Sequence, residues 1–142
     1  MSMNNYAVEM YGLFLTEEDL QELIKNNAKG LIEKELLVEE DLEYLDTMCL
    51  GEIFDLVEVV GFVFYGDIEG YFNSFYEGAN TKHIDYEEIC ILPLDKDTLF
   101  TCYKDKNEIY EELITKLKAY GMNVDKEYVE KHTGLFSGTY CA

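Results

Sequence analysis

Strand-like and helix-like stretches occur here in groups, without regular alternation, and predict an α+β domain: an antiparallel sheet of about five strands with helices packed mainly on one face. Three observations carry this. Aromatic and β-branched runs cover 6–15, 53–78 and 87–104. Apolar residues recur at helical spacing within 16–30, 31–48 and 105–121. Composition supplies the third, since 48% hydrophobic and 14% aromatic residues are too many for a chain that stays solvated, even at a formal charge of −19. With 142 residues, close to the commonest domain size, residues 1–142 are read as a single acidic domain.

The elements follow in order. Tyr6 to Leu15 suits a first strand. Thr16 is placed to cap the next helix with Asp19 three residues on, Leu15 and Leu20 can form a hydrophobic staple, and Gly30 offers a stop. A second helical stretch, from about Leu31 to Met48 with a break near Leu37, sets Val38, Leu42 and Leu45 on one face among carboxylates. Residues 57–65 read as a central strand, Gly66-Asp67 as a turn, and Tyr71 to Tyr76 as the returning partner. Glu87 to Leu94 and Thr98 to Lys104 form a further hairpin about Lys96, which would set Cys90 opposite Cys102. Asp105 with Glu108 starts a helix whose inner face is Ile109, Leu113, Leu117 and Tyr120 and which ends near Gly121. A short helix at Asp125 to Lys131 and a strand at Leu135 to Cys141 complete the chain.

The charge is concentrated. Between Lys34 and Lys82 lie 47 positions with twelve carboxylates and no basic residue, whereas residues 1–34 carry −3 and residues 82–142 carry −4. Such a surface repels nucleic acid and acidic membranes and attracts basic partners or cations. All eleven basic residues are lysine, so the bidentate fork that reads phosphates and base edges is missing, which speaks against direct nucleic-acid binding. No run of about eighteen apolar residues and no basic-then-apolar leader is seen, implying neither a membrane span nor a secretory signal. A cytoplasmic setting in a bacterial host cell is expected, and the absence of arginine and tryptophan points to an AT-rich genome, such as that of a low-GC bacterium or its phage.

Motifs of chemistry are sparse. Cys49, Cys90, Cys102 and Cys141 show no CxxC spacing and lie outside short ligand spacing of His83 and His132, so neither a metal nor a cofactor is expected. Asp95, Asp97 and Asp105 lack the glycine and bidentate glutamate of a calcium loop. Glycines 61, 66, 70 and 78 are too irregular for a dinucleotide loop. His83 with Asp85 or Glu88 is the one grouping suited to general acid and base work, and it defines a small-enzyme alternative. Exposed rings among residues 62–76 define another, a non-catalytic assembly or interaction protein docking through an aromatic patch, with a homodimer open.

The leading expectation is a non-enzymatic inhibitor. Glu39, Glu40, Asp41, Glu43, Asp46, Glu52, Asp55, Asp67 and Glu69 are the candidate partner-binding residues. Carboxylates at helical spacing lie about 5 to 6 Å apart, and a nucleic-acid duplex carries one charge per about 1.7 Å, so an acidic helix can imitate a phosphate backbone in the basic groove of a nuclease or other DNA-binding protein. In size and charge alone the chain looks like phage-encoded inhibitors of restriction or CRISPR nucleases, and an anti-restriction or anti-CRISPR role is the expectation drawn from that electrostatics and the absence of chemical motifs.

Overall fold

Four long strands close on one another. A computed structural model describes residues 5–76, 81–94 and 105–141. In it β1 (Asn5–Thr16), β2 (Val63–Ser74), β3 (Lys82–Pro93) and β4 (Thr133–Cys141) pair antiparallel in the closed order β1-β3-β2-β4. Six α-helices lie among the described residues: α1 (Glu17–Asn26), α2 (Ala28–Glu33), α3 (Glu39–Tyr44), α4 (Leu50–Val57), α5 (Lys106–Ala119) and α6 (Lys126–His132). Short 3₁₀ turns at Leu45–Thr47 and Glu58–Val60 follow α3 and α4. The α+β class is as the sequence predicts. The expected fifth strand at Thr98 to Lys104, its turn and Cys102 lie outside the described residues.

Two readings of the central segment are corrected. Residues 57–62, expected to open the central strand, lie outside it, since Val57 ends α4, Glu58–Val60 is a 3₁₀ turn and the strand begins at Val63, while Gly66-Asp67 is a bulge inside one continuous strand β2. Tyr65 pairs with Ile89 and Ile68 with Glu87, three residues on β2 against two on β3. From Ile68–Glu87 to Gly70–Ile84 the imbalance reverses. Each bulge carries a non-glycine residue at φ 48°, Asp67 on β2 and Tyr86 on β3. A bulge shifts side-chain parity by one, so Tyr65 before it and Ile68, Gly70 and Phe72 after it all face inward. The same holds on β3 for Ile84 against Ile89 and Ile91. Paired bulges also increase local twist, which helps so few strands bend into closure.

Closure gives the sheet two apolar faces. Val8, Phe14, Ile68, Phe72, Ile84, Ile89, Ile91 and Phe136 fill the inside, with Phe14 stacked on Phe72 at 4.7 Å and on Phe136 at 5.4 Å between centroids. Leu13, Leu15, Cys90 and Leu92 point outward to meet Leu20, Ile24, Leu45, Ile53, Leu113 and Leu117 from the helices. Each such side chain, fully buried, stabilises the fold by about 1.5–3 kcal/mol. Leu15 and Leu20, the expected staple, are both fully buried in this outer cluster.

Caps explain where the helices stop. Thr16 and Asp19 form the anticipated reciprocal box, while Asp105 and Asp125 accept from the N–H groups of Glu108 and Tyr128. Helix α5 closes on a Schellman motif, with Met122 N–H donating to the Leu117 carbonyl at 3.0 Å and Gly121 at φ 89°. Helix α2 ends the same way, Leu36 N–H donating to Leu31 at 2.9 Å, but Glu35 holds the left-handed position at φ 61°. Gly30 is not a stop. It lies inside α2, where a Cβ would run into the carbonyl oxygen of Gly121, so two glycines let α2 cross the end of α5 backbone to backbone. Beside that crossing the buried Asn27 donates to the Leu23 carbonyl at 2.9 Å and accepts from Asn123 N–H at 2.7 Å.

Candidate acidic interface

The nine candidate carboxylates divide between two elements of the fold. Seven lie along the helical segment from α3 to α4, while Asp67 and Glu69 lie on β2, at and just beyond its bulge. Three of the seven serve local structure. Asp41 accepts from the N–H of Val38 at 3.3 Å, Glu52 accepts from the thiol of Cys49 at 3.2 Å, and Asp46 pairs with Lys25 of α1. Glu39, Glu40, Glu43 and Asp55 are exposed and form no ion pair among the described residues. The helices form because Leu42, Leu45, Leu50, Ile53 and Val57 must cover the outer face of the sheet, and the carboxylates occupy what remains outside.

Apolar groups are interleaved with these charges. Val38, expected on the buried stripe with Leu42 and Leu45, is instead the extended residue before α3 and is 58% exposed; Tyr44 is 60% exposed and Val59 58%. The α2 to α3 connection encloses a shallow groove of about 490 Å³ lined by Ile32, Leu37 and Val38 with Glu35, Glu39 and Glu40. The sequence reading missed this groove because it placed Val38 inside a helix. The available signal was an apolar pair, Leu37-Val38, immediately before three acids that favour a first helical turn.

His83, Asp85 and Glu88 all lie on strand β3, which begins at Lys82 and so takes in His83 and Asp85 ahead of the expected start at Glu87. All three are exposed, and the His83 ring rests on Tyr71 with centroids 5.0 Å apart. Glu87 and Glu88 line a separate hollow of about 560 Å³ with Thr16, Glu17, Glu18 and Lys82. Among the described residues no group of three or more His, Cys, Asp or Glu is arranged to hold a metal. Cys90 is buried with its thiol pushed up to about 12, by burial first and by Glu88 second, so it is a packing residue of the outer core.

A further cavity, about 260 Å³, opens at the end of the sheet between Phe14, Thr16, Asp19, Phe72, Ser74, Lys82, Lys131 and His132. Most of its polar groups already have partners. His132 Nε2 lies 3.6 Å from Asp19 Oδ1, and its Nδ1 donates to the Tyr128 carbonyl at 2.8 Å. Lys131 holds Glu127 at 2.9 Å, and Ser74 donates to the Glu130 carbonyl at 3.0 Å. Burial pushes His132 down, but Asp19 and the Tyr128 carbonyl outweigh it and hold the imidazole above its ordinary value. Burial likewise pushes Asp19 up, and His132 with the Thr16 cap brings it below its ordinary value. This pair ties the start of α1 to the end of α6.

Among the described residues no helix is long and apolar enough to cross a membrane. Comparison with protein-family models, with curated proteins and with solved structures finds no match for this chain.

Proposed function

We propose that this chain is an acidic protein-binding inhibitor whose helical edge from Glu39 to Asp55 occupies the basic groove of a nuclease or other nucleic-acid-binding protein and excludes nucleic acid from it. An anti-restriction or anti-CRISPR role, encoded by a phage, is the form of this proposal that fits size and charge. The observation that carries it is that Glu39, Glu40, Glu43 and Asp55 are exposed and form no ion pair among the described residues, on the same segment as exposed Val38, Tyr44 and Val59. An interface combines a few large apolar groups with surrounding polar and charged ones, and this edge carries both. Steering by such a field accelerates encounter with a basic partner and falls steeply with ionic strength.

The test is affinity capture from a low-GC bacterial lysate with elution across a salt gradient, followed by competition with DNA at any basic protein recovered. Release at moderate salt together with displacement by DNA supports the proposal. Capture of salt-resistant partners that DNA does not displace contradicts it.

A second reading has its own observation. Within the expected aromatic stretch 62–76, Tyr71 is 54% and Tyr76 38% exposed, a surface that suits an assembly or interaction protein. If that surface self-associates, mass in solution rises with concentration and Tyr71→Ser abolishes the rise.

A further inference from the structure

We infer that the groove between α2 and α3 is the docking site for a basic segment of a partner protein, one that presents an apolar side chain flanked by lysines or arginines. The inference rests on the reading above and narrows it from a charged edge to a place along it. The floor is apolar: Leu37 is buried, Ile32 half-buried and Val38 largely open to solvent. The rim is Glu35, Glu39 and Glu40, all exposed and without an ion pair among the described residues.

Charge complementarity selects the occupant. An uncharged apolar segment covering Val38 would strip water from three carboxylates and leave them unpaired, which is costly. A purely charged segment would meet the rim and leave Val38 in water. A second copy of this chain would bring like-charged rims together. A segment with an apolar residue between basic ones satisfies floor and rim at once.

Two synthetic peptides of equal length and net charge test this, one with leucine at helical spacing among arginines and one with glycine in place of leucine. Titration at low salt, followed by NMR shifts of the Val38 methyl groups, reads the site. The leucine peptide is expected to bind on the order of tenfold tighter, and Val38→Ser should erase that difference. Glu35→Gly should weaken both peptides while raising Tm, because glycine is at ease at φ 61°; lost affinity therefore cannot be lost folding. Glu58→Gln, exposed but outside the groove lining, should change neither. Equal binding of the two peptides with no response to Val38→Ser overturns the groove and leaves the charged-edge reading standing. Failure of both peptides to bind overturns both.

Discussion

Glu35 occupies a backbone position that costs an L-residue roughly 1–2 kcal/mol, and glycine would occupy it freely. Against the flexibility glycine adds to the unfolded chain, Glu35→Gly is expected to stabilise the fold by about 0.5–1 kcal/mol in calorimetry or denaturant titration. Tyr128 is a comparable case. Its hydroxyl is buried without a hydrogen-bond partner among the described residues, and burial, then Asp19 and Glu22, push it far above the ordinary phenol value. Tyr128→Phe should therefore be neutral or stabilising by up to about 1 kcal/mol, whereas loss of a satisfied hydroxyl would destabilise. The pair His132 and Asp19 sets a pH dependence. His132 binds its proton more tightly in the folded state, so its contribution is full below the unfolded value of about 6.5 and fades as pH rises through the folded one. Asp19 has the opposite sign: its contribution is present above the unfolded value of about 3.9 and is lost as pH falls through the folded one. Stability should decline from slightly acidic to alkaline pH in the native chain and decline less in His132→Asn, as read by urea midpoints at each pH.

Elements depend on a few contacts that hold helices to one another. Asn27 and the Gly30–Gly121 crossing fasten α2 to the end of α5. Asn27→Ala leaves the Asn123 N–H without its acceptor and is expected to cost about 1–3 kcal/mol. Gly121→Ala should cost at least about 1–2 kcal/mol from φ alone, with the clash against Gly30 in addition. How far these elements were legible follows from the same physics. The box at Thr16, the cap at Asp105 and the buried stripe of α5 rest on local spacing, and they were readable, whereas the cap at Asp125 was not read although the short helix after it was. Val57 to Val60, read as strand from their valines, became the end of α4 and a 3₁₀ turn because Val57 and Val60 cover the outer face of the sheet, a tertiary demand that propensity does not contain. Gly66-Asp67 was read as a turn because a bulge and a turn use the same residues. The acids of the candidate surface were visible as charge, but their neighbour Val38 was not, since its exposure depends on where α3 begins.

At the scale of the whole molecule, the net charge acts on stability and on binding in opposite directions. Carboxylates crowded into one window repel each other, so raising salt from about 0.05 to about 0.5 M should raise Tm by screening that repulsion, while weakening any complex formed through the same groups. The opposed responses separate a functional charge from a merely soluble exterior, which would show the first effect alone. The most direct measurement is therefore the salt dependence of affinity for the captured basic partner, made with the native chain and with a variant carrying Gln or Asn at Glu39, Glu40, Asp41 and Glu43. Steeply falling affinity, abolished binding in the variant and an intact fold by circular dichroism are the predicted result; affinity independent of salt, or unchanged in the variant, would contradict the proposed acidic interface.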